Sequence, residues 1–136
     1  MKTIIWVFIS ALGFSLSVSA KDLAPIKIGT NCTFDGQSGE MGVSVRAGLR
    51  IAVNEINAAG GVGGRKLQLV ERDDKANPAT GVAIAEELVH KEKVVATIGY
   101  CNSGVAMKAM EVYQAAKIPL IIPVATGTMI TKKFAP

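Results

Sequence analysis

The chain has 136 residues, of which 49% are apolar, 19% charged and 5% aromatic. This length is enough for one domain and too short for two ordinary ones, and the apolar content excludes a disordered chain. Fifteen basic residues against eleven acidic ones give a net charge of +4. Because the basic residues are scattered and aromatic residues are few, we expect no nucleic-acid interface. Two cysteines are too few for a disulfide-rich scaffold or a four-ligand zinc site.

The first twenty residues predict a cleaved signal peptide. Lys2 gives a short positive segment, an apolar stretch runs from Ile4 to Phe14, and Val18-Ser19-Ala20 is a small-residue cleavage signal. The stretch is short for a membrane span of about 20 residues, although an uncleaved anchor is the alternative. Cleavage after Ala20 leaves residues 21–136 in an exported, oxidising compartment, in which two cysteines can form a disulfide.

Four short β-branched runs alternate with three helical patterns in the rest of the chain. The predicted strands are Ile26–Thr30, Lys66–Glu71, Val94–Gly99 and Ile118–Ile122. The predicted helices run from about Gly42 to Ala59, from Pro78 to about Lys91, and from just after Asn102-Ser103-Gly104 to about Lys117. This alternation predicts an α/β fold with a parallel sheet and helices on both faces. The strand order 2-1-3-4 is common in such sheets.

Local signals mark the ends of the first two helices. The first helix carries one apolar stripe, formed by Val45, Leu49, Ala52 and Ile56. Gly60-Gly61 is typical of a left-handed helix end. Asn77 is expected to cap the second helix, with Pro78 at its first position.

The predicted sheet order also predicts where a ligand binds. Strands one and three become neighbours, and open α/β sheets bind ligands beyond the carboxyl ends of the strands at such a switch point. Two loops should meet there, residues 31–41 and residues 100–104. The first of these loops is long for a βα connection, which usually takes about 2–6 residues.

Enzyme and cofactor motifs are missing from the sequence. It has no G-x-G-x-x-G after strand one, no phosphate-binding P-loop and no G-x-S-x-G. The single histidine, His90, is expected at the surface end of a helix. Asp73-Asp74 could suggest a metal site, but no third ligand is near in sequence, so a turn with exposed carboxylates is expected. We therefore predict a protein that is not an enzyme and has no metal or cofactor.

Two hydroxyl residues are predicted at the carboxyl edge. Ser103 opens the third helix, where free backbone N–H groups and the helix dipole favour anions. Thr126 follows strand four at the same edge. For each residue the alternative is a plain N-cap. Hydroxyl donors together with strand-end carbonyl acceptors suit a zwitterion such as an amino acid.

The ordered set of segments resembles the start of type I periplasmic binding proteins, and is most similar to the leucine/isoleucine/valine-binding family of ABC transporters. The resemblance is carried by Ile26–Gly29, Asp35–Gly42, Gly48–Gly61, Asp73-Asp74, Asn77-Pro78, Ile98-Gly99 with Ser103, and Pro123–Thr126. It covers residues 26–136. No single motif is specific, but their order and spacing are.

The resemblance implies a substrate-binding protein in the periplasm. It delivers an amino acid, branched-chain or related, to the membrane permease of an ABC transporter and acts as a monomer. Ser103 and Thr126 match positions that hold the ligand's α-carboxylate and α-ammonium, and Val124 matches one that offers its backbone carbonyl. Met41 stands where branched-chain binders have a tyrosine near the ligand side chain. The alternatives are an extracytoplasmic sensing domain with the same fold, or a truncated product without function.

Two further expectations follow from this resemblance. Ala76 stands where such members have a cysteine, which leaves Cys101 without that partner, and we expect it to pair with Cys32 at the end of the neighbouring strand. Residues 21–136 match only the N-terminal lobe of a two-lobed family, before the hinge and the second lobe. Since the two lobes together bury the ligand, we expect these residues alone to bind an amino acid weakly or not at all.

Overall fold

The computed structural model of the chain describes residues 23–133, so the predicted signal peptide lies outside the described residues. In chain order the elements are β1 (Ile26–Cys32), a 3-10 turn (Gly36–Ser38), α1 (Gly39–Ala58), β2 (Leu67–Asp73), α2 (Pro78–Glu86) continued by a π-helical turn (Glu87–Lys91), β3 (Ala96–Gly99), α3 (Ser103–Ala116), β4 (Leu120–Ile121) and α4 (Thr128–Lys133). None of the helices in this range is both long enough and apolar enough to cross a membrane.

The four strands form one parallel sheet in the order β2-β1-β3-β4. This confirms the predicted fold class and strand order. The order places β1 between β2 and β3, so that Asn31 is in register with Arg72 on one side and Gly99 on the other. The carboxyl ends of β1 and β3 are therefore adjacent, as the sequence predicts for the switch point.

Helices lie on both faces of the sheet. On one face, Gly42 of α1 approaches β1 so closely that an added Cβ would lie 3.1 Å from the Cβ of Cys32. On the other face, an added Cβ on Gly29 would lie 3.1 Å from a methyl carbon of Leu88. Because side chains alternate along a strand, Gly29 and Cys32 point to opposite faces. The segment that contains Leu88 is thus opposite α1.

The main core lies between α2 and α3. Its buried members are Ala85, Val89, Tyr100, Val105, Ala106, Ala109, Met110, Tyr113 and Ile130. The rings of Tyr100 and Tyr113 pack edge to face with their centroids 6.2 Å apart, a geometry that aromatic quadrupoles favour. A second cluster of Val70, Ile84, Leu88 and Val94 joins α2 to β2.

Strand lengths differ from the predicted ones. β1 and β2 each extend two residues further, because the pairs Asn31↔Arg72 and Cys32↔Asp73 continue the ladder. β4 is only two residues long and pairs with β3 alone. Since β1 ends at Cys32 and α1 begins at Gly39, the predicted long loop over residues 31–41 is wrong. The connection spans residues 33–38 and is of ordinary length.

The predicted stripe on α1 is confirmed at Val45 and Leu49, which are half-buried, and is shifted by one residue after them. Ala52 is exposed and Ile56 is 38% exposed, whereas Val53 and Asn57 are half-buried. The Asn57 side chain donates to the carbonyl of Leu67 (2.9 Å) and accepts from its N–H (2.7 Å). These two bonds turn Asn57 toward the first residue of β2 and rotate its neighbour Ile56 outward.

The predicted helix ends are confirmed. Asn77 accepts hydrogen bonds from Ala79 N and Thr80 N, and Pro78 is the first residue of α2. Gly60 and Gly61 both have positive φ, and an added Cβ on Gly61 would lie 2.1 Å from the carbonyl oxygen of Arg65. Only glycine fits that position.

Candidate functional site

A disulfide joins the two central strands at their carboxyl ends. Cys32 is the last residue of β1, Cys101 follows β3, and the two sulfur atoms are bonded with the Cα atoms 5.1 Å apart. Cys32 is fully buried and Cys101 is 6% exposed. The bond thus connects the loop that leads to Met41 with the segment that leads to Ser103, and it confirms the predicted pairing of Cys32 with Cys101.

The N-terminus of α3 is capped by Asn102. The Asn102 side chain accepts from Gly104 N (2.9 Å) and Val105 N (3.4 Å), and Ser103 is the first helical residue. The alternative in which Ser103 is the N-cap is therefore wrong. An asparagine at this position is a better-placed cap because its backbone is still extended, which leaves the Ser103 hydroxyl for other partners.

Ser103 is linked instead to the segment that contains Thr126. Its Oγ accepts a hydrogen bond from Gly127 N at 3.0 Å. A second bond runs from Ala125 N to the carbonyl of Tyr100 at 3.3 Å. The structure therefore brings Ser103 and the Thr126 segment together. Thr126 is exposed, and Gly127 separates it from α4.

Met41 and Val124 also come together, in an open groove of about 510 Å³. The groove is lined by Glu40, Met41, Ser44, Val45, Pro123 and Val124. Met41 and Val124 were predicted from the sequence as site residues, whereas the polar residues Glu40 and Ser44 were not. Only their positions in the sequence could have indicated them. Glu40 and Ser44 are one helical turn apart, on either side of Met41. Neither Ser103 nor Thr126 lines this groove.

The larger cavity lies elsewhere. It measures about 790 Å³ and is lined by Met110, Tyr113, Gln114, Ile118, Leu120, Ile122, Ala125, Thr126, Gly127, Thr128, Ile130 and Thr131. It is therefore bounded by α3, β4 and α4. Of the predicted site residues, only Thr126 lines this cavity. The volume of a cavity therefore does not by itself identify the predicted ligand site at the carboxyl edge of the sheet.

The expectation of a turn with exposed carboxylates at Asp73-Asp74 is wrong for Asp74, which is fully buried. Its Oδ1 accepts from the Thr33 hydroxyl (2.7 Å) and from Ala76 N (2.9 Å). Asp73 accepts from Phe34 N (3.3 Å) and Lys75 N (2.8 Å). The two acidic residues thus join the turn after β2 to the loop after β1. Among residues 23–133 no three metal-ligating side chains cluster.

His90 lies at the end of the π-helical turn, where its Nε2 is 3.1 Å from the carboxylate of Glu86 and its side chain is 59% exposed. It lies on the surface, as predicted. Tyr100, unlike His90, is fully buried. Its burial and, to a smaller extent, the neighbouring Tyr113 raise the pKa of its phenol far above the ordinary value. This phenol is therefore neutral, and its ring is fully buried in the main core.

Comparison with known proteins places the chain among binding proteins. A family described as "Periplasmic binding protein" matches residues 25–135. The chain is 34% identical to the "Amino acid binding protein" of Pseudomonas aeruginosa, over 90% of this chain and 33% of that protein. It is 33% identical to the "Leu/Ile/Val-binding protein" of Escherichia coli, over 90% of this chain and 32% of that protein.

Solved structures share the fold. The branched-chain amino acid transporter substrate binding protein LivJ of Streptococcus pneumoniae, in complex with isoleucine, superposes with a TM-score of 0.76 and 37% identity. That comparison covers 80% of this chain and 31% of that one. A solute binding protein from R. palustris in complex with 4-hydroxybenzoate gives 0.71 and 34% identity, over 80% of this chain and 29% of that one. The chain spans about a third of the length of these relatives.

Proposed function

The chain belongs to the periplasmic binding protein family, and on that premise we propose that it supplies one lobe of a substrate-binding protein for amino acid transport. The lobe is residues 21–136, exported to the periplasm after cleavage at Ala20. The binding protein is monomeric, catalyses no reaction, and delivers its ligand to the membrane permease of an ABC transporter. The described residues supply half of the ligand site.

The hydrogen bond between Ser103 and Gly127 carries this proposal. The Ser103 oxygen accepts from Gly127 N, so its own hydrogen is available for a second partner. Thr126, next to Gly127, is exposed and offers another hydroxyl. Two hydroxyl donors beside the start of α3 suit a carboxylate, because the helix dipole favours negative charge there.

The rest of an amino acid fits the same edge. Val124 is half-buried and lies two residues before Thr126, and its backbone carbonyl is proposed to accept a hydrogen bond from the α-ammonium group. The groove beside Met41 and Val45 offers an apolar surface for the ligand side chain. Met41 is 47% exposed and therefore free to contact it.

An aromatic carboxylate is the second candidate ligand. The similar protein from R. palustris was solved with 4-hydroxybenzoate, and the one from Streptococcus pneumoniae with isoleucine. These two ligands share a carboxylate but not an ammonium group. We infer that the Ser103 and Thr126 hydroxyls recognise the shared group and that other residues select between the two classes.

Calorimetry on the product secreted from the native gene, with its length established by intact mass, tests the proposal. We expect binding of isoleucine, leucine or valine, weakened about tenfold or more by Ser103→Ala, since a hydrogen bond to a charged group contributes about 1.5–3 kcal/mol. Thr80→Ala, in the first turn of α2, is the matched control and should leave the affinity unchanged. Binding of 4-hydroxybenzoate alone would favour the second ligand.

Residues 21–136 alone should bind these ligands weakly or not at all. Micromolar affinity for this segment would contradict the view that it is half of a cleft. Failure of the secreted product to bind any of the carboxylates would overturn the proposed function.

A further inference from the structure

Four fully buried polar side chains have atoms without a hydrogen-bond partner among residues 23–133: Thr30, Asn31, Asp74 and Thr97. Two of them, Asn31 and Asp74, lie beneath the carboxyl edge, where the unpaired atoms are both amide atoms of Asn31 and the Oδ2 atom of Asp74. Buried polar groups in folded proteins are nearly always paired, with protein or with ordered water. These atoms therefore need a partner that the described residues do not supply.

Asn31 and Asp74 are diagonal neighbours on one face of the sheet. Asn31 is in register with Arg72, two residues before Asp74. The pairing continues one residue past the strands, because Asp74 N donates to the carbonyl of Cys32 at 3.4 Å. Thr33 therefore follows the same alternation of side chains and lies on the face of Asn31. The Thr33 hydroxyl donates to Asp74 Oδ1 at 2.7 Å, so Thr33, Asn31 and Asp74 are all on that side of the sheet.

The two oxygens of Asp74 differ in their bonding. Oδ1 accepts from the Thr33 hydroxyl and from Ala76 N, at 2.7 and 2.9 Å. Oδ2 has neither of these partners. Oδ1 therefore holds the turn that contains Ala76. Oδ2 is left to bond a group on the side of Asn31.

Tyr100 adjoins the same place. Its side chain is fully buried, and its hydroxyl lies 3.3 Å from the carbonyl oxygen of Gly81 and 3.3 Å from the hydroxyl of Tyr113. Burial raises the pKa of this phenol, and the Asn31 side chain and the Asp74 carboxyl group, which act in opposite directions, also influence it. A phenol has a single hydrogen to donate, so the Tyr100 hydroxyl cannot donate to the carbonyl oxygen of Gly81 and also to Asn31 Oδ1 or Asp74 Oδ2.

We propose that an ordered water molecule binds between the Asn31 side-chain amide and Asp74 Oδ2. The bound group must accept from Asn31 Nδ2 and donate to Asn31 Oδ1 or Asp74 Oδ2, and water does both. A metal cation would serve the oxygens but would leave the Asn31 N–H groups unpaired. Buried waters typically make about three such bonds. This water joins β1 to the turn after β2, directly beside the residue that forms the disulfide.

A crystal structure of the full chain that resolves ordered solvent tests the proposal, with crystals grown in sodium chloride and in rubidium chloride. We expect a water within hydrogen-bond distance of both Asn31 and Asp74 Oδ2, and no anomalous rubidium peak there. The melting temperature should be the same in sodium, potassium and choline chloride at equal ionic strength. A direct bond between Asn31 and Asp74 Oδ2 would overturn the proposal, as would a rubidium peak at this position.

Variants separate the water from the surrounding hydrogen bonds. Asn31→Leu removes both amide partners and is expected to lose the water and lower the melting temperature. Thr33→Val is the matched control, because the hydroxyl it removes bonds Asp74 Oδ1 and Ala76 N but not Asp74 Oδ2, so the water should stay. If Asn31→Leu does not fold, Asn31→Ala opens space beside Asp74 Oδ2 and is expected to admit a second water. Loss of the water in Thr33→Val, or the absence of any water beside Asp74 Oδ2 in Asn31→Ala, would contradict the proposed water site.

Discussion

The hydroxyl of Ser103 accepts a hydrogen bond from the backbone N–H of Gly127, 24 residues later in the chain, at 3.0 Å. The bond joins the first residue of α3 to the segment that precedes α4. It therefore sets the spacing between two candidate ligand-binding segments, one in the crossover from β3 to β4 and one after β4.

Ser103→Ala and Asn102→Ala should have different effects, because only Asn102 caps α3. Asn102→Ala is expected to cost about 0.5–2 kcal/mol of stability, as loss of a cap does. Ser103→Ala should lower the stability by no more than an ordinary hydrogen bond contributes, about 0.5–1.5 kcal/mol. It should also lower the affinity for the ligand. Urea unfolding and ligand titration of both variants check this. Equal stability losses with equal affinity losses would argue against separate roles.

The disulfide should stabilise the chain strongly. It closes a segment with a sequence separation of 69 residues, for which the loop-entropy relation gives about 4 kcal/mol. The double variant C32A/C101A, compared with the oxidised protein by urea unfolding, should lose about this amount. The unreduced protein should show no free thiols in a thiol assay under denaturing conditions. Two free thiols would contradict the pairing.

Acid should weaken the ion pair between Arg72 of β2 and Glu87 of the π-helical turn. Arg72 Nη2 lies 2.7 Å from Glu87 Oε1, and this hydrogen bond holds the pKa of Glu87 below its ordinary value. A pKa lowered by folding adds stability above the unfolded-state pKa of about 4.3, and this stability is lost as pH falls through the folded-state pKa. The pair is partly exposed, so its screened contribution is about 0.2–1 kcal/mol.

Glu87→Gln should therefore be less stable than the wild type at pH 7, and the difference should shrink toward pH 3. Urea unfolding at a series of pH values measures it. Glu55→Gln, on the exposed side of α1, is the control. A difference between wild type and Glu87→Gln that stays constant with pH would show that Arg72 does not stabilise the ionised form.

Two glycine-to-alanine changes should have opposite signs. At Gly81 an added Cβ would lie 2.2 Å from Val105 Cγ1 in the main core, whereas at Gly48 nothing lies within 4 Å. Gly81→Ala should cost about 1–3 kcal/mol as overpacking does. Gly48→Ala should stabilise α1 by about 0.5–1 kcal/mol.

A substitution at Val105 tests whether its contact with the added Cβ is the reason that Gly81→Ala destabilises the chain. In a Val105→Ala background the obstructing methyl group is absent, so Gly81→Ala should cost much less. A double-mutant cycle measured by thermal or urea unfolding gives the coupling. If Gly81→Ala costs the same in both backgrounds, the contact with Val105 is not the cause.

The sequence by itself determined the elements and their order. Alternating β-branched runs and helical patterns predict a parallel α/β sheet, and local signals such as Asn77-Pro78 and Gly60-Gly61 mark helix ends correctly. These features depend on hydrogen bonds within a few residues and on backbone preferences of single residues, so a linear pattern contains them. The resemblance to binding proteins, confirmed by the family match, also needed only the order of the segments.

Only the tertiary structure decided the contacts between distant segments. The bond from Gly127 to Ser103, the burial of Asp74 and the rotation of α1 toward Leu67 all join residues that are far apart in sequence or on different elements. Short polar side chains such as Ser103 and Asp74 have several possible partners. Which partner each one meets depends on how the crossovers pack on the sheet, and no local pattern records that packing.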